Sequence, residues 1–302
     1  MQSEALKPVE FSLGGKPFHA LTAGEPGKPL LLFLHGFPEY SGAWEEILPQ
    51  LADRYYCVAP DQRGYGKSWK PEGIESYKVS ALVADAAAMI HHFAPEGRAA
   101  ALIGHDWGAS VAYALAIRLP ELIDRLVILN SVHPAVFQQV LARGGAQTAA
   151  SQYITWLRAE GSEQVLAAEN FAKLFELFSA EMDLSWMTPE RRAAYAEAWG
   201  GVEGLKAMIH WYRASRITVP APGERLAEDP LAGIDPAELR ITMPHLLIWG
   251  PEDTAFVPEV RDGLADYCDD LRVREIPGTD HWLAHQRPEA VVEAIRGFLE
   301  EG

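Results

Sequence analysis

The sequence predicts an α/β protein, a mostly parallel central sheet flanked by helices, with a helical segment inserted between two of its later strands. Three observations carry this. Short runs that are apolar throughout, such as Leu30–Leu34 and Leu126–Leu129, alternate with stretches of helical period, the pattern of buried parallel strands and the helices that connect them. The alternation stops between about 133 and 216, where the chain turns aromatic-rich and carries no strand signal. The 302 residues, 48% of them hydrophobic, suffice for one large core with a smaller appended unit.

Taken in order, Val9–Leu13 and Phe18–Leu21 read as two short strands joined at the Gly14-Gly15 turn signal. Leu30–Leu34 and Tyr55–Ala59 follow as buried strands, then a helix over Ser80–Phe93. Ala100–Ile103 leads into a helical stretch, Ser110–Leu119, and Leu126–Leu129 is the next strand. The interval 133–216 is read as an inserted helical lid, holding Tyr153, Trp156, Phe171, Phe175, Phe178, Trp186, Trp199, Trp211 and Tyr212. Strands resume at His245–Ile248 and Leu271–Ile276, and a last helix runs from Pro288 to Leu299 with proline in its first turn. The core is thus expected over 1–132 and 217–302, and the ligand cavity under the lid, at the carboxyl ends of the strands.

Composition excludes several function classes. A formal net charge of −16 disfavours a phosphate backbone or an anionic membrane surface as partner. Apolar runs such as Pro29–Leu34 are far below the ~18 residues that suggest a membrane span. The two cysteines, Cys57 and Cys268, lack metal-ligand spacing and fit a reducing compartment. With no basic start followed by an apolar stretch, the cytoplasm is the expected location. Neither metal nor cofactor is expected, and a monomer and a homodimer remain equally open.

The chemistry centres on Leu102-Ile103-Gly104-His105-Asp106-Trp107-Gly108-Ala109. Its G-x-D-x-G resembles the nucleophile elbow of α/β-hydrolases, a tight strand-to-helix turn whose glycines avoid clashes and whose central residue is forced outward. Free N–H groups at the helix start favour negative charge there. A serine at this position must lose a proton before attacking an acyl carbon. An aspartate, with a reference pKa of about 3.9, is already anionic at pH 7. It can displace a leaving group from a saturated carbon and form an ester. Asp106 would also suit a plain helix N-cap, but three further segments weigh against so limited a role.

His35-Gly36-Phe37-Pro38 follows the strand Leu30–Leu34, where this fold supplies one oxyanion-hole N–H; the other belongs to the residue after the nucleophile. The donors are therefore expected from Phe37 and Trp107, with Pro38 fixing the loop. Pro277-Gly278-Thr279-Asp280-His281-Trp282 sets His281 on a loop late in the chain, matching the order nucleophile, acid, histidine. Trp249-Gly250-Pro251-Glu252-Asp253 supplies the acid, Asp253. Asn130 cannot carry charge, and Glu252 is expected to face the other side of its loop. His105 and His133 are read as structural.

With these segments and the loop Asp61-Gln62-Arg63-Gly64-Tyr65-Gly66-Lys67-Ser68, the chain resembles the α/β-hydrolase-fold epoxide hydrolases across nearly its whole length. Haloalkane dehalogenases share the Asp-Trp elbow, so the lid decides between them. The resemblance implies two lid tyrosines acting on the ring oxygen. Tyr212 lies in His210-Trp211-Tyr212-Arg213, where many relatives have Asn at the first position, and Tyr153 precedes Gly161 by eight residues. A phenol is neutral at pH 7 and donates well to a developing alkoxide. A haloalkane dehalogenase typically has a side-chain N–H donor, often Asn, where Phe37 stands, and a fluoroacetate dehalogenase has arginines where Trp107 and Ser110 stand.

The resemblance thus implies an enzyme acting on an ether bond. Asp106 opens the epoxide, and His281, oriented by Asp253, activates water against the ester. The expected partners are a small apolar epoxide and water. His35, Pro38, Trp107, His210 and Trp282 are expected to border the substrate. A dehalogenase with the same nucleophile is the alternative enzyme, and a non-catalytic ligand receptor the alternative of another class.

Overall fold

The computed structural model describes residues 5–179, 182–228 and 231–301. Among them, the strands are β1 (Lys7–Leu13), β2 (Lys16–Ala23), β3 (Leu30–Leu34), β4 (Tyr56–Pro60), β5 (Ala101–His105), β6 (Leu126–Leu129), β7 (His245–Trp249) and β8 (Leu271–Glu275). They form one sheet in the order β1-β2-β4-β3-β5-β6-β7-β8. β1 and β2 pair antiparallel, as do β2 and β4, and every later pairing is parallel. The helices are α1 (Leu48–Leu51), α2 (Val79–Phe93), α3 (Trp107–Arg118), α4 (Pro134–Ala142), α5 (Ala146–Ala150), α6 (Gln152–Arg158), α7 (Ser162–Ser179), α8 (Pro189–Trp199), α9 (Gly201–Ala214), α10 (Leu283–Gln286) and α11 (Pro288–Glu300). No helix among the described residues is long and apolar enough to cross a membrane.

Side-chain alternation splits the core into two layers. Leu30, Leu32 and Leu34 of β3 pack with α2 and α3 on one face, whereas Leu31 and Phe33 meet α1 and α11 on the other. The central strands β3 to β7 are buried on both faces, which is why they read as unbroken apolar runs. β8, at the sheet edge, is half-exposed, and its Arg272, Arg274 and Glu275 suit an edge strand.

Among the described residues, the α-helices α4 to α9 lie between β6 and β7, where the aromatic segment was expected. α7 is broken at Ala168–Phe171, with Glu169, Asn170 and Phe171 at positive φ. Aromatic residues join this insertion to the segment after β8. Phe178 stacks on Trp282 at 4.1 Å and Trp186 on His285 at 3.8 Å. Buried indoles also find backbone acceptors across the junction. Trp199 Nε1 donates to Pro38 O at 2.6 Å, Trp282 Nε1 to Phe178 O at 3.1 Å and Trp211 Nε1 to Arg63 O at 2.9 Å. Such pairing lets tryptophan bury a large apolar body without stranding its N–H.

Candidate active site

Four sheet elements end at the same edge, beneath the helical insertion. β5 runs into Asp106, whose φ of 49° and ψ of −119° mark a strained turn between strand and helix. The glycines on either side are there for space. A Cβ on Gly108 would lie 2.1 Å from Leu34 O, and one on Gly104 would lie 2.7 Å from Ala109 Cα. A Cβ on Gly36 would sit 2.5 Å from Asp106 Oδ1, so the loop after β3 can press its backbone against the carboxylate. Phe37 N–H donates to Asp106 Oδ1 at 2.8 Å, and the Phe37–Pro38 peptide is cis. Trp107 opens α3, and the N–H groups of a helix's first turn have no intrahelical acceptor.

His281 follows β8 and Asp253 follows β7. His281 Nδ1 donates to Asp253 Oδ2 at 2.8 Å, while its Nε2 stands 3.9 Å from Asp106 Oδ2. Asp253 is saturated with donors. Oδ1 accepts from Ala255 N at 2.7 Å and Phe256 N at 3.0 Å, and Oδ2 accepts from Asn130 Nδ2 at 2.8 Å as well as from His281. Its neighbour Glu252 is exposed. Burial opposes charge on His281, yet the Asp253, Asp106 and Glu39 carboxylates outweigh it and raise its pKa to about 9.

Tyr153, near the start of α6, and Tyr212, near the end of α9, face the same space, their rings 6.1 Å apart and nearly perpendicular. Tyr212 leans edge-on against Phe37 and Trp107, at 5.1 and 5.0 Å. Burial, with the Asp106 charge adding to it, pushes the Tyr153 phenol up; burial, Tyr153 and Asp106 push Tyr212 up. Both therefore stay protonated and able to donate. A cavity of about 250 Å³ is lined by Asp106, Tyr153, Tyr212 and His281 with Phe37, Pro38, Phe178 and Trp282. A smaller one of about 50 Å³ adjoins it past the same aspartate and tyrosines, against Trp107.

Two residues expected at the substrate are elsewhere. His35 turns away from the cavity, its Nδ1 against Gly36 O at 2.9 Å and its Nε2 accepting from Gln62 N at 3.2 Å. His210 lines neither cavity and packs on the Tyr77 ring at 5.2 Å. Being two residues before Tyr212 on α9, it faces a different side of that helix. His133 caps α4, accepting from Ala135 N through Nδ1 and meeting Leu239 O through Nε2.

Sequence reasoning missed a supporting layer. Asn130, passed over because it carries no charge, uses its amide to hold Asp253 and Asp280 O while its Oδ1 accepts from Gly250 N at 2.7 Å. Glu39 is buried and accepts from His105 Nδ1 at 2.9 Å, His285 Nε2 at 2.7 Å and Tyr195 OH at 3.2 Å. Burial would raise its pKa, but the two histidines hold it well below the ordinary range. His105 Nε2 lies 2.9 Å from His281 O, so the ring bridges Glu39 and the backbone of the histidine. The one signal in the sequence is a glutamate directly after His35-Gly36-Phe37-Pro38. Among the described residues, no group of three or more His, Cys, Asp or Glu is arranged to hold a metal ion.

Residues 29–288 match the family described as alpha/beta hydrolase fold. The chain is 33% identical to the AB hydrolase superfamily protein YfhM of Bacillus subtilis, over 95% of each chain. It is 31% identical to Epoxide hydrolase 4 of Mus musculus, over 97% of this chain and 79% of that one. Among solved structures, an epoxide hydrolase of the α/β-hydrolase superfamily from metagenomes of hot environments superposes with a TM-score of 0.87 at 32% identity, covering 100% of both chains. The Bacillus megaterium epoxide hydrolase in complex with an inhibitor superposes with a TM-score of 0.82 at 28% identity, covering 97% of this chain and 100% of that one.

Proposed function

Because the chain belongs to the α/β-hydrolase fold family, in its epoxide-hydrolase branch, we propose that it opens an epoxide to a vicinal diol through an ester on Asp106. One observation carries the reading: a carboxylate on a strained elbow shares one cavity with two phenols, Tyr212 buried and Tyr153 partly so, and a carboxylate-paired histidine. In this reading the helical segment 133–216 is a lid over a core of 1–132 and 217–302.

Asp106 attacks through Oδ2, the oxygen that Phe37 does not hold. The new bond joins Oδ2 to a ring carbon, that same carbon's bond to the ring oxygen breaks, and Tyr153 and Tyr212 donate to the oxygen released. Donors fixed in advance at the point where charge develops are worth most in a dry site. Oδ1 becomes the ester carbonyl oxygen, already held by Phe37 N–H, with the Trp107 N–H as the second donor in this reading. Alkylation also neutralises Asp106, one of the three carboxylates that raise His281. The imidazole gives up its proton more easily at that stage, to the alkoxide oxygen left by ring opening, and is then free to act as the base. His281 then takes a proton from water, hydroxide adds to the ester carbon, and the tetrahedral intermediate collapses to diol and free carboxylate. One oxygen of the regenerated Asp106 comes from water.

A single turnover of styrene oxide in ¹⁸O-water tests this. Label is expected in the peptide containing Asp106 first and in the diol only on later turnovers. In His281→Gln the ester should accumulate as a mass increment on that peptide, and Asp106→Asn should form none. Label entering the diol at once, never the protein, overturns the covalent route. Halide release from a haloalkane with no diol from any epoxide moves the assignment to a dehalogenase.

A further inference from the structure

Two arginines outside the cavity bind the ends of the helices that carry the tyrosines, each reaching across to the other's helix. α6 begins beside Tyr153 and ends at Arg158, and α9 carries Tyr212 and, next to it, Arg213. The last carbonyls of a helix have no intrahelical donor, and a cation there is favoured. Arg158 reaches one of those of α9, Tyr212 O, which also accepts from Ser215 N and Oγ, and the chain just beyond the helix. Its Nε donates to Tyr212 O at 2.9 Å, Nη1 to Ile217 O at 2.8 Å and Nη2 to Ser215 Oγ at 2.6 Å. Arg213 returns the contact to α6, with Nη2 donating to Ala159 O at 2.9 Å and Nε near Arg158 O at 3.4 Å. The same Nη2 meets Glu163 Oε2 at 2.6 Å, a pair whose side chains are only 12% and 8% exposed.

Neither arginine lines the cavity, so neither touches substrate. What they hold is the relation of α6 to α9, and the carbonyl that Arg158 grips belongs to Tyr212 itself. The two tyrosine rings meet edge to face, a contact that does not by itself set the relation of the two helices that carry them. We propose that Arg158 and Arg213 are positioning residues, a reciprocal clamp that keeps the Tyr153 and Tyr212 hydroxyls aimed at one oxygen atom. This rests on the reading that the tyrosines receive the epoxide oxygen. The planar guanidinium forks bind several carbonyls in one plane, a task an ammonium does not reproduce.

The tyrosines act in ring opening and not in ester hydrolysis, so the clamp should affect one step alone. Rapid-quench single turnovers with styrene oxide, counting the Asp106 ester by peptide mass and the diol by chromatography, give both rates. In Arg158→Met, alkylation is expected to fall about 10- to 100-fold, the scale of a ~1 Å misplacement, while ester hydrolysis changes less than about threefold. Arg158→Lys should restore little of it. Arg213→Lys keeps a cation for Glu163 and guards against unfolding; it too should slow alkylation alone. In a Tyr212→Phe background, Arg158→Met should cost less than about threefold more, as coupled residues do.

Alkylation unchanged in the arginine variants, or both steps slowed together, overturns the clamp while leaving the tyrosine reading in place. An undiminished effect of Arg158→Met in Tyr212→Phe does the same. A wild-type enzyme that never forms the Asp106 ester overturns the tyrosine reading, and the clamp with it.

Discussion

At His281, burial and charge pull in opposite directions. Taking the ring out of water disfavours its cation, but Asp253 at 2.8 Å, with Asp106 and Glu39 beyond, brings the pKa to about 9 from the ordinary 6.5. A group raised on folding contributes stability in full below its unfolded pKa and loses it as pH rises through the folded one. The histidine's contribution should therefore be intact at pH 6 and decline between about 6.5 and 9. Urea unfolding of wild type and His281→Gln across that range is the check. The wild-type advantage should be largest at pH 6 and should shrink toward pH 9. A gap that does not depend on pH would mean that His281 is not held as a cation.

The element that matters most is the turn from β5 into α3. Asp106 sits at positive φ without being glycine or asparagine, a conformation the surroundings must enforce. Gly104 and Gly108 allow it, because α3 approaches β5 at the first and the end of β3 at the second closer than any side chain permits. Gly108→Ala drives a methyl to 2.1 Å from the Leu34 carbonyl, inside a strand that cannot yield. The expected loss is about 3 kcal/mol or more, read from the urea midpoint at constant slope. Gly297, exposed in α11 with nothing within 4 Å of a new Cβ, is the contrast. There alanine should add about 0.5–1 kcal/mol through helix propensity. Equal effects at the two glycines would refute the steric account of the elbow.

On the scale of the whole molecule, a chain of net charge −16 encloses a cavity walled largely by apolar side chains and holding an aspartate. A neutral apolar epoxide gains from burial there, whereas a carboxylated one must shed its hydration and approach Asp106 against like charge. Epoxysuccinate is expected to show kcat/KM about 10³-fold or more below styrene oxide, equivalent to roughly 4 kcal/mol of transition-state stabilisation. Steady-state diol formation compares the two directly, and similar values would show that the cavity does not select against charge.

Much of this molecule was legible from local pattern. Leu30–Leu34 and Leu126–Leu129 are strands with those bounds, and the aromatic interval after residue 133 is helical. Such features depend on periodicity and on steric needs within a few residues, which a sequence carries openly. The elbow was legible for the same reason, since its glycines answer to clashes within one turn. Contacts between distant segments were not. Asn130 reaches Asp253 across 123 positions, and Glu39 reaches His285 across 246. His35 and His210 face away from the cavity because neighbouring elements claim their rings. Sequence alone determined the strands, the inserted helices and the chemically able residues. Tertiary structure alone decided which polar groups meet across the fold, because each bond depends on where two segments far apart in the chain come to rest.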